Sequence, residues 1–215
     1  MSVFQQADGS CYLEQGNTKL LACVYGPREV EKRHQLQHDK AIITTEISMS
    51  TFTKTDRRKA RVDKRLMEMS IFIKQTMESV VKIQLFPRSQ IDIYIQVIQV
   101  DGGLLSACVN AVTLALIDAG IPMTDYITAS TIGYIKNTPF LDMNAIEESS
   151  DTPVLTIAIQ PRDQSIVLFQ LEKKIHVANV DSLIEVGLEG CKSLHKIFDE
   201  RVKQRTKALL EMRGF

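Results

Sequence analysis

The clearest alternation of apolar and polar positions in the chain lies at Ile91, Ile93, Ile95 and Val97, interleaved with Asp92, Tyr94 and Gln96. A period of two predicts a strand with one buried face. Asp101-Gly102-Gly103 breaks the alternation. Beyond it Leu105, Cys108, Val109, Val112, Ala115, Leu116 and Ala119 recur at helical spacing. Gly120 suits the left-handed residue that follows a helix, and Pro122 suits a stop. The segment reads as strand, glycine turn and helix.

The N-terminal part is β-rich. Tyr12–Gln15 and Lys19–Tyr25 flank Gly16-Asn17, a hairpin turn pair, and Gly26-Pro27 is expected to end the second strand. Residues 28–40 are charged and lack apolar periodicity, which predicts a loop. Strand character resumes from Ala41 to Phe52. A helix follows with Leu66, Met69, Ile73, Met77 and Val80 on one face and Asp63 as its candidate N-cap. The second half repeats the plan, with strands at 127–135, Leu155–Ile159 and Ile166–Leu171. A long helix is predicted from Asp181 towards Met212, capped by Asp181 or Ser182, with Leu183, Val186, Gly190, Leu194, Ile197 and Phe198 facing inward. Gly187 and Gly190 cost helix propensity and point to close packing on a sheet. Two β-then-α halves imply an α+β fold, read as one domain over 1–215.

The 215 residues are 44% hydrophobic, enough for a sizeable core, and no apolar run is long enough to span a bilayer. Lys+Arg equals Asp+Glu at 26 each, so nothing attracts a polyanion globally and any nucleic-acid contact needs a local patch. Cys11, Cys23, Cys108 and Cys191 show no metal-ligand or paired spacing, and no leader sequence precedes them; free thiols are expected, with Cys108 buried. His34 and His38 share helical spacing without a third ligand, which favours a solvated segment over a metal site.

One local patch exists. From Lys54 to Arg65 the chain holds seven basic residues (Lys54, Arg57, Arg58, Lys59, Arg61, Lys64 and Arg65) against two acidic ones. Lys64 and Arg65 then fall in the first turn of a helix, where the macrodipole disfavours cations. A solvated charged loop and a polyanion-binding surface both fit this run. Asp142, Glu147, Glu148 and Asp151 form an acidic stretch that reads as an exposed loop, or as a general acid or metal ligands beside a phosphate cradle. The glycine turn is the natural place for such a cradle, because a helix N-terminus presents unpaired N–H donors and positive potential. Yet Leu104 and Leu105 follow the glycines, and no phosphate-binding lysine is present. On spacing alone an ordinary strand-to-helix crossover is the favoured reading.

ADGSCYLEQGNTKLLACVYGPRE (7–29), PRSQIDIYIQVIQVDGG (87–103) and ACVNAVTLALIDAGIPM (107–123) resemble the RNase PH family, in its exosome ring branch, in order and spacing over nearly the whole chain. The resemblance implies an RNase PH fold of two βαβα-like halves, akin to ribosomal protein S5 domains, with helices packed on mixed or antiparallel sheets. It implies assembly with other RNase PH-like ring subunits, S1/KH-type cap subunits, an associated exoribonuclease and single-stranded RNA, without a membrane, in the nucleus and nucleolus and in the cytoplasm. Active members attack the RNA 3′ end with inorganic phosphate, held by a Ser/Thr and an Arg just after the glycine turn. Here those positions are Leu104 and Leu105, so Gly102, Gly103, Leu104 and Leu105 form a degenerate phosphate site. The family's acidic residue falls at Val154, with Asp151 three residues earlier as a possible residual acid. The seven basic residues would contact RNA phosphates. Relative to the family, an N-terminal arm is expected to be short or missing. The implied function is a non-catalytic ring subunit that threads RNA and holds partners, without cofactor. The alternative is an active phosphate-dependent 3′-to-5′ exoribonuclease using phosphate and Mg. A related small-molecule kinase or transferase has no motif to support it.

Overall fold

The computed structural model describes residues 1–30, 37–53, 57, 63–136, 138–149 and 152–212. The first half forms a four-stranded sheet from β1 (Gly9–Gln15), β2 (Thr18–Glu29), β3 (Ile42–Met49) and β4 (Ser89–Gln99), in the order β1-β2-β4-β3. β1, β2 and β4 run antiparallel, and β3 lies parallel to β4. The alternation of β4 does what its sequence predicts: Ile91, Ile93, Ile95 and Val97 are buried, and Tyr94 is exposed. α1 (Lys64–Val80) packs on β3, burying Leu66, Met69, Ile73, Met77 and Val80. Asp63 sits at the N-cap position but its side chain makes no capping hydrogen bond.

The second half contains β5 (Thr128–Ile135), β6 (Thr138–Leu141), the short α3 (Ala145–Ser149), β7 (Val154–Gln160), β8 (Ser165–Glu172) and α4 (Val180–Met212). Its sheet is antiparallel throughout, ordered β6-β5-β7-β8. Between the halves runs α2 (Leu104–Asp118). It packs on β1 and β2 from one side and on β5 and β7 from the other, while α4 covers the far face of the second sheet.

This layering explains the residue choice in β5 and β7, whose positions from Thr128 to Gly133 and from Val154 to Gln160 are all buried. Small residues such as Ala129 and Ala158 join the core around α2. The larger Ile132, Leu155, Ile157 and Ile159 join Leu183 and Cys191 of α4. Gly187 lets α4 approach: a Cβ there would lie 2.8 Å from Ile132 Cδ1, and one on Gly190 would lie 2.7 Å from Leu141 Cδ2.

Several expectations need correction. β2 does not end at Gly26-Pro27; it continues to Glu29 through a cis peptide bond and a register shift between Tyr25 and Arg28. Arg28 thus belongs to a strand, and its Nε donates to the buried Asp92 at 2.7 Å. α2 is not amphipathic: every residue from Leu105 to Leu116 is buried, because sheets lie on both sides. Ile197 is 53% exposed, and the inward face of α4 runs through Cys191 and Phe198. Neither Asp181 nor Ser182 caps α4, which starts at Val180 after a 3-10 turn over Val177–Asn179. The acidic stretch is not a plain loop: it follows directly on β6 and carries α3. All four cysteines are free. His34 lies outside the described residues.

Candidate functional site

The glycine turn is built by its neighbours. Thr18 Oγ1 accepts from the Asp101 N–H at 2.9 Å and donates to the Gly102 carbonyl at 3.0 Å, fixing the turn to the start of β2. Asn17 Nδ2 donates to Asp101 Oδ2 at 2.8 Å, and the Ala145 N–H donates to Oδ1 at 3.1 Å. These hydrogen bonds, the Asn17 amide first, hold the exposed Asp101 carboxyl below its ordinary value of 3.8. Gly102 (φ +90°) and Gly103 (φ +57°) both take left-handed angles. A side chain at Gly102 would overlap the Met143 carbonyl oxygen. Gly103 is the N-cap of α2, which has no side-chain cap. Ser106 Oγ instead donates to the Gly103 carbonyl and accepts from Thr131 Oγ1, each at 2.8 Å.

The positive end of α2 therefore faces a cleft of about 320 Å³. Its apolar lining comes from Met69, Phe72, Leu104, Leu105 and Val154. Leu105, at the position where the resemblance expects arginine, is 8% exposed. Val154, at the expected acid's position, is also buried and carries no proton to give. The charged lining consists of Glu68, Glu148 and Glu172 against Arg65, three carboxylates to one guanidinium among the described residues. Arg65 reaches Glu148 at 3.4 Å and Glu172 at 3.8 Å. A phosphate entering this cleft would meet leucine where the resemblance expects a cationic grip and, among the described residues, excess negative charge at the rim.

The other predicted site residues divide cleanly. Arg57, Lys64 and Arg65 are exposed. Lys54, Arg58, Lys59, Arg61 and Asp151 lie outside the described residues. Gly103, Leu104 and Leu105 line the cleft together with Arg65, and Gly102 lies in the turn before them. Sequence reasoning missed Glu68 and Glu172, which α1 and β8 bring to the cleft. It also missed Asp101, whose pairing with Asn17 was signalled only by its place in the turn. Among the described residues, no group of three His, Cys, Asp or Glu is placed to hold a metal ion, and no helix is long and apolar enough to cross a membrane.

Comparison with known proteins agrees with this architecture. Residues 1–122 match the model of the 3′ exoribonuclease family, domain 1, and residues 125–190 match its domain 2. The chain is 42% identical over 210 residues to the exosome complex component RRP41 homolog of Arabidopsis thaliana, covering 97% of this chain and 87% of that one. It is 41% identical to the Homo sapiens exosome complex component RRP41, covering 96% and 85%. With the Archaeoglobus fulgidus component Rrp41 the identity is 37%, covering 95% and 80%. Among solved structures, rice Rrp46 superposes with a TM-score of 0.83 at 23% identity, covering 94% of this chain and 91% of that one. A chain of the Archaeoglobus fulgidus exosome with RNA bound to the active site gives 0.77 at 20% identity, covering 92% and 85%. These two likenesses bear on the fold, an RNase PH fold of mixed α and β content. With both halves matched in order and sequence relatives among exosome complex components, the chain belongs to the RNase PH (3′ exoribonuclease) family.

Proposed function

We propose that this chain is a non-catalytic subunit of an exosome-type ring, which contacts and threads single-stranded RNA and holds partner subunits. The observation that carries the reading is the cleft in front of Gly102-Gly103. Leucines occupy the positions where the resemblance expects the phosphate ligands, and among the described residues carboxylates outnumber cations around it. Phosphoryl transfer depends on preorganised positive charge, so a site without it forfeits the largest part of the rate. No cofactor is needed for this role.

RNA contact falls to Lys54, Arg57, Arg58, Lys59, Arg61 and Lys64, with the exposed Arg65 able to exchange its glutamate partners for a phosphate. Contacts of this kind are tolerant of base sequence and sensitive to salt. The partners that fit are further RNase PH-like ring subunits, S1/KH-type caps and a separate exoribonuclease. The compartments are those where such rings process and degrade RNA, including ribosomal RNA: the nucleus and nucleolus, and the cytoplasm.

The test incubates the chain, alone and assembled with its ring partners, with 5′-labelled RNA and inorganic phosphate. The expected result is intact RNA and no nucleoside diphosphate. Phosphate-dependent release of nucleoside diphosphate, lost on mutation of this chain's glycine turn, would establish the phosphorolytic alternative instead.

A further inference from the structure

We infer that Phe52 is a stacking platform for a base of single-stranded RNA, set just ahead of the basic run. The inference rests on the reading that this chain contacts RNA, and adds to it a contact that the phosphates do not make. A lone exposed phenylalanine needs no ligand to explain it. Three observations give this one a ligand.

The first is exposure. Phe52 is 67% exposed, the highest value for an aromatic residue among the described residues; the next, Phe169, is 45% exposed. Tyr12, Tyr94, Phe140 and Phe169 belong to strands, where sheet neighbours flank them. Phe52 instead lies in a turn beyond β3 and keeps most of its surface in solvent.

The second is rigidity. Ser50 to Thr53 form a β-turn, closed by the Thr53 N–H donating to the Ser50 carbonyl at 3.1 Å, and the Thr53 hydroxyl donates to the same carbonyl. The turn is tied to β4: the Ser50 N–H donates to the Val97 carbonyl at 2.9 Å, and Gln96 Nε2 donates to Ser50 Oγ at 2.8 Å. Thr53, the residue after the ring, is only 6% exposed. An anchored turn thus presents the ring to solvent. An aromatic side chain has few torsions to order, so stacking on it costs little conformational entropy.

The third is charge. Two residues after Phe52 the sequence enters the stretch from Lys54 to Arg65, with seven cations against two carboxylates in a chain of zero net charge. Its described basic members, Arg57, Lys64 and Arg65, are all exposed. A flat apolar ring next to concentrated positive charge matches the two parts of a single-stranded nucleic acid, its base faces and its phosphates. A duplex hides the faces of its bases within the stack, and an acidic peptide brings charge without flat rings. A single strand is the occupant that satisfies both features.

The chain contains no tryptophan, so Phe52→Trp places a single indole reporter in the turn. A uridine oligonucleotide added to the full chain carrying this substitution is expected to quench its fluorescence saturably, and an abasic ribose-phosphate oligomer to leave it unchanged. In filter binding, with the chain alone and assembled with its ring partners, Phe52→Ala is expected to weaken the uridine oligonucleotide about tenfold. The dependence of log affinity on log salt should keep its slope, because no phosphate contact is removed. Phe52→Tyr should bind as the parent does. Phe52→Ala and the parent should bind the abasic oligomer equally, and duplex RNA equally. Undiminished binding of the uridine oligonucleotide by Phe52→Ala, or an equal loss with the abasic oligomer, overturns the inference and leaves the phosphate contacts in place. A loss that disappears on assembly would assign Phe52 to a subunit contact and overturns it too. If no oligomer binds in a salt-sensitive way, the reading of RNA contact falls and this inference falls with it.

Discussion

Asn110 and Ala129 exchange two hydrogen bonds in the middle of the molecule. The amide Nδ2 donates to the Ala129 carbonyl at 2.9 Å, and the Ala129 N–H donates to Oδ1 at 2.8 Å. The pairing of β6 with β5 begins only at Ile132, so on that edge Ala129 has no strand partner. Asn110, projecting from α2, takes the place of one. Asn110→Ala would leave a buried N–H and a buried carbonyl unpaired, and Asn110→Leu would add bulk to the same defect. Each is expected to cost about 2–5 kcal/mol. The expected readout is a lower denaturation midpoint in urea with an unchanged slope; a change within about 0.5 kcal/mol would show that water replaces the amide.

Gly102 and Gly120 both take left-handed angles, at φ +90° and +71°, but in different surroundings. Gly120 closes α2: its N–H donates to the Ile117 carbonyl, and the next N–H, of Ile121, to that of Leu116. A Cβ there meets open space, whereas one at Gly102 meets the backbone at Met143 and Asn144. Gly120→Ala should therefore show only the left-handed penalty, about 1–2 kcal/mol. Gly102→Ala should add overpacking, for about 2–5 kcal/mol in all. Thermal unfolding of the two variants side by side checks the order; equal losses would mean that the Met143 segment yields freely.

The sequence signals that survived folding were local ones. Period two in β4, the Gly16-Asn17 hairpin and the stop at Gly120 each depend on a few adjacent residues, and each stands in the structure. What failed depended on distant neighbours. The inward face of α2 was legible, but not that a second sheet would bury its other side. Ile197 looked like core, but the inward face of α4 runs through Cys191 and Phe198, and Ile197, one residue before Phe198, lies off that face. The cleft divides the same way. Leu104 and Leu105 could be read directly after the glycines, but the Arg65–Glu148 pair joins residues 83 apart and only the folded chain brings them together. Asn110 gave no signal beyond being polar within an apolar run.

The four thiols differ in reach. Burial pushes Cys108 up to about 12 and Cys11 to about 11, and raises Cys191 as well. Cys23, on the other face of β2, is only half-buried. The thiolate is the reactive form, so at pH 8 a disulfide reagent should modify Cys23 first and the others only at the rate of unfolding. Cys23→Ser should remove the fast phase and leave the slow ones. A fast phase that persists in that variant would mean that Cys11 or Cys191 opens locally without global unfolding.

Asp101 ties three segments together: the β1–β2 turn through Asn17, the glycine turn itself, and the start of α3 through the Ala145 N–H. Because these donors lower its folded value below the ordinary 3.8, its contribution to stability is complete above that value and is lost as the pH falls through the lowered one. Asn17→Ala removes the larger of the two causes. The Asp101 carboxyl carbon, followed by NMR from pH 6 to pH 2, should then titrate at higher pH than in the parent chain, though still below the ordinary value while Ala145 donates. Exchange of the Ala145 amide should accelerate over the same pH interval in which Asp101 protonates. Titration at an unchanged midpoint in Asn17→Ala would assign the lowering to Ala145 alone. An Ala145 amide indifferent to that protonation would show that the glycine turn and α3 are joined by packing, through Met143 against Gly102, rather than by this carboxylate.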